Sequence, residues 1–270
     1  MDSNAPGQLL GFSLQFPRAL YHLLRCGPGD SVCVEVIGDV ATTHQDGSVR
    51  TEEDKSSIST NPITDLSTDL WKTMHNWIKG INDKSINLEK TTFVLYTNKA
   101  GRKALVDTFH KVTTDQQANT AIEEVIKKLK KVDDKHEIWP YYNFVVNEQR
   151  EVFARLLQKF EFQVIDGSTG FKEVRLEIEK KLIPKVHVDF LLENLCGWLQ
   201  SELMDQIVQK KPAVILWETF QAKFSPIVEK IHKRELIDFA LQSLPQADEL
   251  ESEKLRWPIY IQQLDKIGLS

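Results

Sequence analysis

Cysteine is scarce: Cys26, Cys33 and Cys196 are the three in 270 residues. No CxxC pair occurs, which removes the common structural zinc frames. An odd, sparse set suits a reducing cytoplasm rather than a disulfide scaffold. The seven histidines include no HxxxH or HxH spacing, so a zinc hydrolase or an HNH-type nuclease has no support. No apolar run reaches the ~20 residues of a membrane span. The start, "MDSNAPGQLLGFSLQF", has an early acid and no apolar signal core. A soluble cytoplasmic protein is expected. An excess of basic charge is also missing, with 34 Lys and Arg against 39 Asp and Glu and a net charge of −5. The balance does not mark a nucleic-acid binder, yet a local basic groove can sit on an acidic protein. Acids gathered around a metal would themselves add to the negative count. "GSTGFK" at 167–172 lacks the GxxxxGK[ST] spacing of a P-loop. No repeat or low-complexity tract is present.

What is there suffices for a folded core: 41% hydrophobic and 27% charged residues. The length suits two domains of roughly 100–200 residues each. Residues 8–25 place Leu9, Leu10, Leu14, Leu20, Leu23 and Leu24 at helical spacing, with Pro17 starting or kinking the helix. "CGPGD" stops it. "SVCVEVIGDVATT" (31–43) reads as one valine-rich strand, "HQDGS" as a turn and "VRTEEDKSS" as a second strand, a β-hairpin together. A loop at 58–67 ends on a capping Asp65 or Ser67, and an amphipathic helix follows at 68–81. "KTTFVLYTN" is a third strand, apolar on both faces and so interior. Helices are expected at 102–111, at 115–131 after Thr114 and at 148–160. Between them "DDKHEIWPYYNFVV" passes from helix to loop, and "EFQVID" is a last strand. From 172 to 270 the pattern is helical, with breaks near Pro184, Lys211-Pro212, Pro245 and Pro258. The composition shifts near 168, giving an α/β domain at 1–168 and a helical domain at 169–270.

The chemistry concentrates in the hairpin. Alternate strand residues share a face, so Cys33, Glu35, Ile37 and Asp39 are expected to point one way. On the second strand Thr51, Glu53 and Lys55 share a face, while Glu52 and Asp54 point to another layer or to solvent. Asp39, Glu53 and Lys55, with Glu35 near them, then converge. Carboxylates of this kind hold Mg²⁺ through hard oxygens. The metal polarises a phosphoryl group and acidifies a bound water. A lysine orients or deprotonates that water, or neutralises developing charge. Asp39 with Glu53-x-Lys55 is the pattern of a PD-(D/E)xK nuclease core, whose usual order is a helix, a three-stranded meander, a helix and a further strand. The expected order departs from it by placing the 68–81 helix between strands two and three. The same residues also fit an exposed hairpin kept soluble by alternating charge.

"GFSLQFPRALYHLL", "VCVEVIGDV", "EEDKSS" and "LWKTMHNWI", in that order, resemble the Cap-type double-stranded DNA endonuclease domain (PD-(D/E)xK superfamily) of bacterial antiphage systems, over roughly the first 100 residues. That domain is an effector in nucleotide-activated systems. It is also the nuclease subunit of Lamassu-type, ABC-ATPase-linked three-component defence systems, whose C-terminal regions "ILWETFQAKFSPIVEKIHKRELIDFAL" is similar to. The resemblance implies that Asp39, Glu53 and Lys55 are catalytic and that Gln15 and Glu35 support them. It implies Mg²⁺, with Mn²⁺ as a substitute, as cofactor. It also implies duplex DNA, an SMC-like ABC ATPase and an accessory subunit as partners. Two departures stand out: relatives often carry two acids where this chain has Gly38-Asp39, and often glutamine at Glu53.

Lesser features have plainer readings beside the functional ones. Gln15 alone is a polar helix position. Trp71, Met74 and Ile78 have core spacing, while Lys72 on the same helix can reach a phosphate. Ser56 and Ser57 open a polar loop able to touch a DNA backbone. Lys127–Lys131 ("KKLKK") and Lys99, Arg102 and Lys103 are solvated faces or parts of a phosphate track. His44 is expected in solvent. Phe190, Leu191, Leu195, Trp198, Leu199 and Leu203 form a bundle core, with part of the set left as an interface. The expectation is thus an α/β PD-(D/E)xK core with a helical tail, acting as a Mg²⁺-dependent endonuclease effector. It would be restrained by partners and switched on by release or self-assembly as a homo-oligomer. The alternatives are a catalytically silent scaffold and an RNA-directed or single-strand nuclease.

Overall fold

The computed structural model describes residues 5–57, 62–99, 105–165, 167 and 169–242. Helix α1 (Ala5–Arg25) buries Leu14, Leu20, Leu23 and Leu24, and Pro17 lies within it rather than at its start. Pro17 packs on Gly170, whose φ is +82°; a Cβ there would come within 2.8 Å of the proline ring.

The sheet has six strands in the order β5-β4-β3-β2-β1-β6. They are β1 (Ser31–Val34), β2 (Val40–Thr43), β3 (Val49–Lys55), β4 (Thr91–Thr97), β5 (Phe160–Val164) and β6 (Val214–Leu216). β1, β2 and β3 form an antiparallel meander, and β4 and β5 add in parallel beside β3. The single strand expected at 31–43 is therefore two antiparallel strands. Residues Glu35–Asp39 turn between them, closed by the Glu35 N–H donating to the Asp39 carbonyl at 3.1 Å. Gly38 lets the turn lie on β3, since a Cβ at that position would meet Thr51 Oγ1 at 2.6 Å. The Thr51 hydroxyl donates to the Ile37 carbonyl at 2.8 Å. With this extra strand the order becomes helix, three-stranded meander, helix, strand: α2 (Thr68–Asn82) follows the meander instead of interrupting it.

Ser67 caps α2, its side chain accepting from the Leu70 N–H. Asp65 instead receives the Leu105 N–H at 2.6 Å through its carboxylate and the Trp71 indole N–H at 2.8 Å through its carbonyl. Leu70, Trp71, Met74, Trp77 and Ile78 pack with Phe93 and Leu95 of β4, while Val94 and Tyr96 are buried on the other face. β4 is thus interior on both sides, as its composition requires. After the short α3 (Leu105–Phe109), Thr114 caps α4 (Asp115–Lys128). The passage around 139–148 is α5 (Trp139–Asn143) running into a π-turn at Phe144–Glu148, and α6 (Arg150–Leu157) precedes β5.

The later segment is not helical throughout. Beyond α7 (Phe171–Lys180) and α8 (Lys185–Val208), β6 pairs antiparallel with β1, and α9 (Trp217–Gln242) follows. α8 buries Leu191, Leu195, Leu199 and Leu203, while Phe190 is exposed and Trp198 half-buried. α7 and α8 both pack on α1. By packing, the chain divides into two compact units, Met1–Phe224 and Ser225–Ser270. The expected start of a helix at Arg102 and the breaks at Pro245 and Pro258 lie outside the described residues. No described helix is long and apolar enough to cross a membrane.

Candidate active site

The β2–β3 register sets Val40 opposite Glu52, so Asp39 arrives at the end of the turn beside Glu53. Its carboxylate Oδ2 receives the Asp54 backbone N–H at 2.7 Å. Two residues further along β3, and on the same face as Glu53, Lys55 places Nζ 2.9 Å from Glu53 Oε2 and 3.9 Å from Asp39 Oδ2. The three side chains expected to converge do so. The route differs from the expected one: Asp39 reaches the face through a turn, and Cys33, Glu35, Ile37 and Asp39 share no strand face.

Partial burial shapes the charges. The Asp39 carboxyl is pushed up to about 6, first by loss of water and then by the like charge of Glu53. Burial would lower Lys55, but Glu53 and Asp39 outweigh it and the ammonium is held above its ordinary value. Lys55 is therefore a fixed cation at neutral pH. It can position a water or neutralise charge on a phosphate, but it has no free base to offer.

Glu35 opens the turn in the left-handed region, with φ +57°, a conformation costly for a residue with a Cβ. Its Oε1 accepts from the Gln15 amide at 2.6 Å. Gln15 is a buried residue of α1, so it braces the turn rather than decorating a polar helix face. Glu35 itself is exposed and acts on Asp39 through its charge.

Two hard carboxylates crowded enough to raise Asp39 suit a small divalent cation by donor chemistry. Among the described residues no group of three or more His, Cys, Asp or Glu side chains is placed to hold a metal together. Any ion here would rest on Asp39 and Glu53, with waters or phosphate oxygens completing its shell, as Mg²⁺ commonly does.

The opposite face of β3 holds a second cluster that spacing alone does not reveal. Glu52 and Asp54 turn toward α1 and are buried. Arg18 grips Glu52 with Nε at 2.6 Å and Nη2 at 2.8 Å, and His22 Nε2 lies 3.2 Å from the same carboxylate. The guanidinium also lies 4.1 Å from the Tyr96 ring centre and 3.8 Å from Glu173 of α7. The Tyr96 hydroxyl donates to Glu173 at 2.7 Å. Burial would raise Glu52, but its contacts with His22 and Arg18 reverse that and hold it well below the carboxylate range. Burial lowers His22, against the pull of the Glu52 carboxylate. Burial and Glu52 push Asp54 well above the ordinary carboxylate value. The available sign was Gln15, Arg18 and His22 at spacings of three and four, one polar stripe among buried leucines.

Other expected contacts are scattered. Lys72 is exposed on α2, while Ser56 and Ser57 are half-buried, the Ser57 N–H donating to Asn98 Oδ1 at 2.9 Å. Lys99 is half-buried; Arg102 and Lys103 lie outside the described residues. In 127–131 the four lysines are exposed and Leu129 is buried. His44 is half-exposed, its Nδ1 3.2 Å from Asp30.

No family model matches the chain, and no curated protein does. Among solved structures it is similar to one described as "Structure of Moraxella osloensis Cap4 SAVED/CARF-domain containing receptor", at 16% identity and a TM-score of 0.44. The match covers 73% of this chain and 43% of that one, so the chain spans less than half that receptor's length.

Proposed function

We propose that the chain is a Mg²⁺-dependent endonuclease cleaving double-stranded DNA, built on a PD-(D/E)xK core. The observation that carries this reading is the meeting of Asp39, Glu53 and Lys55 at the end of a three-stranded meander flanked by α1 and α2. Asp39 and Glu53 would hold the ion, which supplies charge to the phosphate and a more acidic water. Lys55, fixed as a cation between the two acids, orients the attacking water and offsets charge on the phosphorus. The Asp54 N–H and the Gln15–Glu35 bond hold Asp39 and its turn in place. Lys72, Ser56 and Ser57 are the proposed backbone contacts.

A nuclease of this kind endangers its own cell. We place it as the effector of a prokaryotic antiphage complex with an SMC-like ABC ATPase and an accessory subunit, restrained by them and active as a homo-oligomer. Support for a docking surface comes from Val186 and Phe190, four residues apart on α8 and 76% and 55% exposed, with Leu182 in the preceding turn 84% exposed. A catalytically silent scaffold is the second reading, favoured by the lack of a three-residue metal group among the described residues.

Plasmid cleavage by the isolated chain with Mg²⁺, beside Lys55→Ala, decides between them. Nicked and linear products are expected, with a fall of roughly 100-fold or more in the variant. Supercoiled plasmid untouched under Mg²⁺ and Mn²⁺ alike, with DNA still bound, would establish the scaffold. Single-stranded DNA and RNA in parallel test the duplex preference.

A further inference from the structure

Helix α8 is apolar on two sides. Leu191, Leu195, Leu199 and Leu203 are buried, yet Val186, Phe190, Met204 and Val208 are each more than half exposed. At 3.6 residues per turn the four exposed side chains project within about 20° of one line along the helix, on the side opposite the buried leucines. Gly197 lies on that line at its midpoint. Phe190 and Met204 stand seven residues to either side of it, and Val186 and Val208 eleven. The row is about 33 Å long.

A glycine within a helix weakens it relative to alanine. A Cβ at Gly197 would meet nothing within 4 Å, so the packing of the described residues gives this glycine no reason. A second backbone crossing at that point does, because the missing Cβ lets two helices approach closely. The row also reads the same in both directions from Gly197, as a two-fold interface between identical surfaces requires. An unrelated partner imposes no such symmetry. In an antiparallel pair Phe190 meets the partner's Met204, and Val186 meets the partner's Val208. The exposed Glu193 then comes beside the partner's Gln200, and Asn194 beside the partner's Ser201, so no like charges oppose each other near the crossing.

We propose that α8 pairs antiparallel with α8 of a second copy of the chain, crossing at Gly197 on a two-fold axis. This pairing rests on the self-assembly proposed above and gives it a surface. Its tests read mass and proximity rather than cleavage. A cleaving monomer would sink the pairing alone, and an inert dimer the endonuclease alone.

Sedimentation equilibrium of the full chain should show a species of twice the chain mass. Phe190→Asp and Met204→Asp, both at exposed positions, should each weaken association about tenfold or more. Gly197→Leu should weaken it as much while raising the melting temperature of the dilute chain, since leucine favours helix and has nothing to collide with; that separates lost pairing from lost folding. Register is read in a Cys26→Ala, Cys33→Ala, Cys196→Ala background. There Gly197→Cys should oxidise to a covalent dimer, which needs the two Cα atoms within about 7 Å. Phe190→Cys and Met204→Cys should cross-link when mixed and not when alone. A chain that stays monomeric to about 100 μM overturns the pairing, and a fall in its melting temperature on Phe190→Asp would assign the face to another part of the same chain. A dimer unmoved by Phe190→Asp and Gly197→Leu, or one in which the mixed cysteines fail to cross-link, overturns it equally.

Discussion

Arg18→Met should be among the most damaging single changes in the chain. The Arg18 and Glu52 side chains are each 1% exposed and joined by two short hydrogen bonds. Removing the guanidinium leaves the buried Glu52 carboxylate with the His22 ring at 3.2 Å and the neighbouring Asp54 in place of a bidentate cation. It also removes the cation stacked on Tyr96 and the link to Glu173. Breaking a buried pair from one side costs about 3–5 kcal/mol, a large part of the roughly 5–15 kcal/mol that holds a typical protein folded. Replacing both partners by apolar groups is a different experiment, because the Glu52 charge is not left stranded. Arg18→Met with Glu52→Leu should therefore return to within about 1 kcal/mol of the parent. Urea unfolding followed by far-UV circular dichroism and tryptophan fluorescence measures all three variants. A single change costing under about 1 kcal/mol, or a double change equal to the sum of the singles, would refute the reasoning.

Three further outcomes are expected. Asp39 binds its proton more tightly folded than unfolded, so its contribution to stability falls as pH rises from about 4 through about 6; carboxyl-carbon NMR should place its titration there, and saturating Mg²⁺ should move it down. Asp54 has the same sign for the same cause, so Asp54→Asn should flatten the loss of melting temperature as pH rises above the ordinary carboxylate range; Glu52 acts oppositely, its stabilisation being complete above that range and fading as pH falls toward its lower folded value. Gly38→Ala forces a methyl against Thr51 Oγ1 and the Glu52 carbonyl, which should cost about 1–3 kcal/mol in denaturant melts and weaken cleavage by shifting Asp39.

Local signals carried much of this structure. The leucine spacing of α1, the two-sided apolar character of β4 and the caps at Ser67 and Thr114 depend on neighbours in the chain, and each is found in place. Strand parity likewise put Glu53 and Lys55 on one face. The turn at Glu35–Asp39 was hidden because V-E-V-I-G-D-V alternates like a strand. What bends it is distant, the Thr51 hydroxyl on Ile37 and the room Gly38 leaves. Arg18 and His22 read as ordinary polar helix residues until a carboxylate from β3 arrives beneath them. β6 is three residues long and extends only because the outer edge of β1 is there to receive it.

That last strand bears on any attempt to transplant the α/β part. Cutting the chain near residue 168 would separate Val214–Leu216 from Ser31–Val34 and also strip the Trp217 N–H from the Asp30 carbonyl. The first strand of the meander would then present a naked row of amides and carbonyls, the sort of margin on which chains aggregate. A graft that carries residues 1–168 alone inherits a sticky border, whereas one extended through Phe224 brings its own hem.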